Sequence, residues 1–215
     1  MTAVGFDAAA RRLAAASRDG VVRIWDVRAR HVVDRLRAGR GVTAIALSPR
    51  DDVVLTGDRH GIVRLWSADG TPLHVLTGHE KAVTSAAFDP SGLRAVTASE
   101  GPVANVIEWD VRKGIRLHTL IGHFRTVARA SFSPDGRWIA TAGPFSAGIW
   151  PADTGRPVRY VRPTVGVLTD AEWSPRGYDI VVGLRDGSVQ TYECRFCRPL
   201  PALLALARSR LAGAS

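Results

Sequence analysis

The sequence predicts an all-β fold, a β-propeller of about five blades in which small antiparallel sheets stand side by side around a common axis. Two markers recur at nearly the same period along the chain of 215 residues. Aromatic anchors are spaced by 41, 43, 41 and 42 residues, at Trp25, Trp66, Trp109, Trp150 and Tyr192. Turn dipeptides recur at steps of 41, 44 and 41 residues, at Ser48-Pro49, Asp89-Pro90, Ser133-Pro134 and Ser174-Pro175. Two independent markers in register indicate a repeat protein.

Each repeat unit has the pattern of four short strands divided by turns, as the second unit illustrates. Its apolar segment 42–47 is followed by segments 53–56, 62–66 and 72–76, with glycine-containing turns between them. Strands that are apolar on both faces need cover on both sides. Radial stacking of four-stranded sheets provides that cover, because each sheet packs against its neighbours.

The composition excludes several classes of protein. With 46% hydrophobic and 23% charged residues, the chain is globular rather than disordered or fibrous. No apolar run approaches the roughly 18 residues that a membrane-spanning helix needs. Asp7 and Arg11 interrupt the region where a secretory signal would be apolar. We therefore expect a cytoplasmic protein with no membrane partner.

The net charge of +9 carries little information about partners. Of the 29 basic residues only Lys81 and Lys113 are lysine, and the arginines are spread along the whole chain. Scattered arginines form no element that could read a nucleic-acid groove. We therefore do not expect nucleic acid as the native partner; if it were, added salt would weaken binding steeply.

Short motifs in the repeats resemble a known family. Val-Arg-Ile-Trp-Asp at 22–26, Val-Arg-Leu-Trp-Ser at 63–67, Gly-His at 78–79 and 122–123, and Ser-Pro-Asp-Gly at 133–136 look like WD40 repeats. The resemblance implies a propeller over residues 1–193, with units at about 1–39, 40–78, 79–122, 123–163 and 164–193. Because about seven blades are common in this family, five units imply an incomplete or open ring.

The resemblance also implies a buried hydrogen-bonded set in each blade. In WD40 proteins this set joins the Gly-His histidine, an Asp before the third strand, a Ser or Thr on the second strand and the Trp on the third. A buried indole and a buried carboxylate each need such a partner. No unit here has every member: Arg40 and His60 replace the His and Asp of the second unit, and the turns 100–105 and 143–148 lack the Asp. The structural anchors that remain are Trp25, Trp66, Trp109, Trp150, Tyr192, Asp19, His79, His123 and Asp186.

The last unit lacks a fourth strand in the sequence pattern. No β-pattern follows Glu193, so we expect an open sheet edge over residues 188–193. An open edge is a template for pairing with another chain, and self-association through it is one partner hypothesis. Three interpretations stay open: a fragment of a longer propeller, an assembly with a second chain, or a strained five-bladed ring.

The tail, residues 194–215, differs in character from the repeats. Its two cysteines, Cys194 and Cys197, are too few for a disulfide framework, which fits a reducing compartment. We favour a small buried pair that fixes the tail over a metal or redox role. From Pro201 the composition predicts a short C-terminal helix, with one face made of Leu203, Leu204, Ala207 and Leu211.

The tail also carries a second resemblance. Cys-x-x-Cys followed by Leu-Leu-Ala-Leu-Ala-Arg-x-Arg-Leu is similar to the C-terminal end of WD40 sensor regions in bacterial STAND-type signalling NTPases. The resemblance implies a separated or truncated descendant of such a sensor, or a cousin that kept its ending.

No catalytic or cofactor motif occurs in the sequence. Neither lysine lies in a P-loop, and the serine-hydrolase elbow, Ser-x-x-Lys and His-Glu-x-x-His are absent. His74 and His79, like His118 and His123, are five residues apart and so point to opposite faces of an extended strand, which favours structural roles over a metal site. We predict a noncatalytic protein without cofactor or metal. An enzyme that uses the central channel is the alternative, which inward-facing carboxylates or histidines would favour.

The loops that enter the first strand and join the second to the third share one rim of a propeller. The resemblance implies that partners dock on this rim. Exposed aromatic residues beside arginines have the composition of interface hot spots. The predicted partner-binding residues are Phe124, Arg125, Lys81, Arg59 and Phe145. The leading hypothesis is a noncatalytic protein-interaction scaffold or sensor module, and the alternative is a regulatory fragment of a larger STAND-type signalling NTPase.

Overall fold

A computed structural model describes residues 1–7, 9–50, 52–101, 104–163 and 166–198. Its nineteen strands form five antiparallel sheets, which we number as blades 1 to 5.

Blade 1 consists of β1 (Ala3–Phe6), β2 (Arg12–Ala16), β3 (Val21–Asp26) and β4 (His31–Arg37). Blade 2 consists of β5 (Val42–Leu47), β6 (Val53–Asp58), β7 (Val63–Ser67) and β8 (Pro72–Leu76). Blade 3 consists of β9 (Val83–Phe88), β10 (Arg94–Ser99), β11 (Ala104–Asp110) and β12 (Ile115–His123). Blade 4 consists of β13 (Arg129–Phe132), β14 (Trp138–Ala142), β15 (Ala147–Pro151) and β16 (Arg159–Val161). Blade 5 consists of β17 (Leu168–Trp173), β18 (Asp179–Leu184) and β19 (Val189–Glu193).

Within every blade the strands pair in chain order, each antiparallel to the next. The first strands pack in succession around the axis, β1 on β5, β5 on β9, β9 on β13 and β13 on β17. A central channel of about 600 Å³ is lined by side chains of all five first strands. In the described part of the chain β17 and β1 make no comparable packing, so the five blades form an open propeller. The predicted all-β propeller with an open ring is therefore confirmed.

The hydrophobic core consists of the layers between successive blades. Between blades 1 and 2, small and branched side chains such as Ala14, Val22 and Ile24 of blade 1 pack against Val54 and Trp66 of blade 2. The same arrangement recurs where the tryptophan of blades 3 and 4 packs against the preceding blade. Each tryptophan therefore needs the apolar face of the blade before it, which is why the repeats are stable only when stacked.

A hydroxyl link repeats at two of these layers. Thr43 on β5 donates to the Val83 carbonyl of the next blade at 2.7 Å, and Thr84 on β9 donates to the Val127 carbonyl at 2.5 Å. The two threonines are one repeat apart in the sequence. These links join the first strands of blades 2 and 3 to the backbone at the start of the blade that follows each.

The two end blades differ from the inner ones. The outward face of blade 1 carries Phe6, Leu13 and Trp25 in one cross-strand row, and Phe6 is 58% exposed. The outward face of blade 5 carries the row Glu172, Val181 and Thr191, which is more polar. The outward face of blade 5 is thus more polar than that of blade 1, where an apolar face is uncovered by described residues.

A buried carboxylate lies between blades 3 and 4. Glu108 on β11 is fully buried at a position where blades 1, 2 and 4 carry Ile24, Leu65 and Ile149. It accepts a hydrogen bond from Arg94 Nη1 at 3.1 Å and faces His118 Nδ1 at 3.0 Å. Burial raises the pKa of Glu108, and its two basic partners lower it only in part. Because the Arg94 guanidinium also donates to two carbonyls of blade 4, this cluster joins the two blades.

The tail begins with its two cysteines. Cys194 and Cys197 are joined by a disulfide bond, which makes them one local pair at the start of the tail. The two residues are three positions apart, and both are buried: Cys194 precedes a short 3-10 turn (Arg195–Cys197) and Cys197 is its last residue. The predicted helix with Leu203, Leu204, Ala207 and Leu211 lies outside the described residues.

No described helix is long and apolar enough to cross a membrane. The compartment therefore stays a prediction.

Candidate protein-docking site

Buried threonine hydroxyls hold two histidines under the upper rim, the end of the propeller formed by the loops that enter each blade and join its second and third strands. Thr97 Oγ1 accepts the Trp109 indole N–H at 2.8 Å and lies 2.7 Å from His79 Nε2. In blade 4, the hydroxyl of Thr141 contacts the Trp150 indole at 2.9 Å and His123 Nε2 at 2.7 Å. Each threonine hydroxyl thus joins the rim loop to the core of its blade.

Both histidines are neutral at physiological pH. Burial lowers the pKa of His79 to about 4 and that of His123 to about 4, because each ring is removed from water without an acidic partner. Within the described part of the chain, the buried His79 Nδ1 has no hydrogen-bond partner. This is the atom left alone when the turn of the third unit lacks the Asp that the resemblance implies.

Blade 2 replaces this arrangement with a different one. Trp66 donates to Thr56 Oγ1 at 2.9 Å, but Arg40 stands in place of the histidine and is exposed. His60 stands at the position where the resemblance implies an Asp, and the carboxylate of this turn comes instead from Asp58, two residues earlier. Its carboxylate accepts the backbone N–H groups of residues 60 and 62 at 2.8 and 3.0 Å, and it forms an ion pair with Arg64.

The remaining anchors lie outside such networks. Asp19 and Asp186 are exposed and brace turns, accepting the backbone N–H groups of residues 21 and 188 at 2.9 Å. The backbone hydrogen bond from Val21 lowers the pKa of Asp19, and the hydroxyl of Ser188 followed by its backbone N–H lowers the pKa of Asp186. Trp25 is half-buried on the outward face of blade 1. Tyr192 packs against the layer between blades 4 and 5, and its hydroxyl donates to the Arg162 carbonyl at 3.2 Å.

The structure divides the five predicted contact residues into two groups on the upper rim. Arg59 and Lys81 are exposed on neighbouring loops of blades 2 and 3, which touch where Gly61 lies against the backbone of residues 79 and 81. Phe124 and Arg125 lie on the loop entering blade 4, close to Phe145 on the loop between β14 and β15. The Arg125 guanidinium lies 5.9 Å from the Phe145 ring centroid.

The second group surrounds a cleft of about 360 Å³ on the rim of blade 4. Phe124 is 87% exposed and Phe145 is 61% exposed, so both rings face solvent at its walls. The loop that carries Phe145 is held by the backbone hydrogen bonds from Gly143 to Ser146 and from Leu168 to Pro144, both 3.0 Å long. The cleft is thus lined by two exposed aromatic rings on braced loops, and we call it the rim cleft.

Two further residues of the rim cleft were not singled out from the sequence. Tyr160 on β16 packs edge-on against His123 and Trp150, with ring centroids 5.7 and 5.9 Å apart, and its buried hydroxyl has no hydrogen-bond partner among the described residues. Arg162 follows that strand, and its side chain is exposed at the cleft. The fourth strand carries no repeat motif, so no sequence signal assigned these side chains to the rim.

The tyrosine hydroxyl is held in place by its surroundings. A Cβ atom at Gly122 would collide with it, so the absence of a side chain there makes room for it. Burial raises the pKa of Tyr160, which keeps the hydroxyl protonated and able to donate a hydrogen bond.

The charges of the rim cleft are all positive. Arg125 and Arg162 line it, His123 is neutral there, and no Asp or Glu is among its described lining residues. In the described part of the chain neither arginine forms an ion pair with a carboxylate. Both guanidinium groups can therefore bind an acceptor that comes from outside the chain.

The central channel has a different chemistry. The charged residues that line it are Asp89, Arg129 and Glu172. Glu172 forms an ion pair with Arg129, and Asp89 forms one with Arg94. Its carboxylates are thus each paired with an arginine. Among the described residues no group of three or more His, Cys, Asp or Glu side chains could hold a metal ion.

Comparison with known proteins supports the repeat pattern. The sequence profile described as "WD domain, G-beta repeat" matches residues 1–26, 32–67, 70–101 and 114–150. The chain is 30% identical over 116 residues to transducin beta-like protein 3 of Rattus norvegicus, which covers 52% of this chain and 14% of that protein. It is 33% identical over 116 residues to the U3 small nucleolar RNA-associated protein 21 homolog of Schizosaccharomyces pombe, covering 53% of this chain and 12% of the relative.

A third relative has a different named role. The chain is 26% identical over 100 residues to histone acetyltransferase type B subunit 2 of Candida glabrata, which covers 45% of this chain and 24% of that protein. The matched region is thus no more than about a quarter of the length of any of these three relatives.

Proposed function

The chain belongs to the WD40 repeat family, and on that premise we propose that it is a noncatalytic protein-interaction module whose upper rim docks a protein partner. The observation that carries the proposal is the rim cleft, where Phe124 and Phe145 are both largely exposed beside Arg125. Large aromatic side chains and arginine are enriched among interface hot spots. Burying two exposed phenylalanines is a source of binding energy that a solvated loop would not display.

Other observations support a binding role over a catalytic one. Both channel carboxylates, Asp89 and Glu172, are paired with arginines, so neither is free to act as a base. The names of two relatives, a subunit of a histone acetyltransferase and an RNA-associated protein, support a role as part of an assembly. The STAND-type alternative depends on tail residues beyond 198, outside the described chain.

The proposal is tested by comparing captured partners. Wild-type protein and the Phe124→Ala/Phe145→Ala double variant are immobilised and incubated with lysate of the source organism, and retained proteins are identified by mass spectrometry. The matched control is Phe6→Ala, which removes an exposed phenylalanine of blade 1 far from the rim cleft. We expect proteins that wild type and control retain but the double variant loses. An identical set for all three would refute rim docking.

We further propose that the β19 edge of blade 5 mediates self-association. β18 pairs with one side of β19, and no described strand pairs with the other. Because residues 188 and 194 hydrogen-bond toward β18, the backbone N–H of Thr191 points toward the open side. Sedimentation velocity at 50 to 100 μM, roughly the range in which weak dimers form, should show a dimer for wild type and a monomer for Thr191→Pro. A monomeric wild type would refute this edge contact.

A further inference from the structure

The rim cleft contains hydrogen-bonding groups that nothing in the described chain uses. Arg125 and Arg162 lack carboxylate partners at the cleft, and the Tyr160 hydroxyl is buried without an acceptor. Two positively charged arginines and one tyrosine thus line the same space of about 360 Å³. A buried hydroxyl that lacks a partner costs free energy, so an acceptor from a ligand would recover it.

We infer that the rim cleft binds an acidic peptide segment, in which an aromatic or large aliphatic side chain lies next to an Asp or Glu. In this arrangement the apolar side chain packs between Phe124 and Phe145, and the carboxylate accepts hydrogen bonds from Arg125. The Tyr160 hydroxyl donates to a peptide carbonyl. The inference rests on the proposed function, because it names the chemistry of the partner that docks on the same rim.

The positive charge of the rim cleft favours an acidic peptide over a basic one. A basic peptide would bring its charge next to two arginines that have no acidic neighbour in the cleft, which costs affinity. A guanidinium binds a carboxylate through two parallel hydrogen bonds, and such charge-assisted pairs are the strong ones. The Arg125 guanidinium lies over the Phe145 ring, and this contact orients it for binding a carboxylate.

The cleft favours a peptide over a polynucleotide. Two arginines flank one small apolar space, and the neighbouring positions on the loops are Phe124, Thr126 and Pro144 rather than further basic residues. A polyanion would need a longer row of cations along its backbone. The volume of the rim cleft suits one or two side chains of a peptide.

The experiment selects ligands from a random heptapeptide library displayed on phage. Wild-type protein is the bait, and the consensus peptide is then made with a fluorescein label and titrated by fluorescence anisotropy. We expect a consensus with Asp or Glu next to Phe, Tyr, Trp or Leu. Arg125→Ala and Phe124→Ala should each weaken binding about 10-fold, the loss of roughly one charge-assisted hydrogen bond or one buried ring. Lys81→Ala, a rim variant outside the cleft, should bind as wild type does.

Two additional measurements separate recognition from folding. Tyr160→Phe removes only the unpartnered hydroxyl, so the urea midpoint should stay the same or rise while affinity for the consensus peptide falls about 5-fold. Replacing the peptide's Asp or Glu by its amide should reduce affinity for wild type but not further reduce it for Arg125→Ala. Additive losses in this double-mutant cycle would contradict the carboxylate contact.

Several outcomes would overturn the inference and distinguish it from the proposed function. A basic or uncharged consensus that still requires Phe124 refutes the acidic chemistry while leaving rim docking intact. A consensus unaffected by Phe124→Ala and Arg125→Ala places binding elsewhere and refutes the rim cleft. No enrichment over background, or displacement of the peptide by a labelled oligothymidine that binds more tightly, also refutes it. Rim docking itself is judged separately, by the capture experiment with Phe6→Ala as control.

Discussion

Replacing Thr97 by valine tests whether the buried hydroxyl holds the blade together. Valine has nearly the same shape, so the change removes the hydroxyl and little else. Thr97 is fully buried and serves two rings, the Trp109 indole and the His79 imidazole. Each buried group left unpaired costs about 1 to 3 kcal/mol, so we expect a loss of about 3 kcal/mol in the free energy of unfolding.

Blade 2 provides an internal comparison for this prediction. Thr56 bonds the Trp66 indole, and no histidine shares its hydroxyl. Thr56→Val should therefore cost about half as much, roughly 1.5 kcal/mol. Thr169→Val, at an exposed position, should change stability by less than about 0.5 kcal/mol.

The assay is urea denaturation followed by tryptophan fluorescence, with midpoints compared at constant slope. Because Thr97 serves two rings and Thr56 one, Thr97→Val should lower the urea midpoint clearly more than Thr56→Val. Equal losses for the two variants would mean that the histidine contact contributes nothing, and a loss no larger than that of Thr169→Val would refute the bridging role altogether.

Three further predictions concern pH and packing. The pKa of His79 and His123 is about 4 in the folded chain and 6.5 in the unfolded one, so the unfolded chain binds more protons in between. The contribution of the neutral histidines to the free energy of unfolding should be fully present above pH 6.5. It should be lost as the pH falls toward 4, by up to about 3 kcal/mol per histidine. A urea midpoint that stays constant from pH 7 to 5 would contradict this. Trp150→Ala should lower the free energy of unfolding by about 3 to 5 kcal/mol. Trp25→Ala, on the uncovered face of blade 1, should lower it by about 1 kcal/mol. Equal urea midpoints for the two variants would refute the assignment of that face. Arg94→Ala leaves the buried carboxylate of blade 3 without its guanidinium and should cost about 3 kcal/mol, and an unchanged melting temperature would show that this carboxylate is held otherwise.

Much of the rim cleft could be predicted from the sequence. Phe124, Arg125 and Phe145 follow repeat markers at fixed distances, so the repeat alone places them on one rim. Tyr160 and Arg162 could not be found in this way, because the fourth strand has no motif and its side chains reach the rim only through the twist and length of the sheet.

The same distinction applies to the carboxylates. The family pattern places an Asp where this chain has His60. Asp58, at the start of the turn, accepts the backbone N–H groups of residues 60 and 62. Glu108 is the opposite case, a charged residue at a position where three other blades carry an aliphatic one. A charge at a core position is tolerated only if its partners arrive from elsewhere, and Arg94 and His118 come from other strands of the sheet.

The amino-acid sequence by itself determined the repeat, the strands and the identity of the rim loops, because short-range alternation and turn chemistry are local properties of the chain. Tertiary structure alone decided which anchors are buried, since Trp66, Trp109 and Trp150 have a preceding blade to pack on and Trp25 has none among the described residues. It also decided the chemistry of the rim cleft, because the absence of an acidic neighbour around Arg125 is a property of surfaces brought together from separate segments. Local sequence thus specifies the strands of each blade. The stacking of the blades determines which side chains are buried between them and which stay exposed for binding.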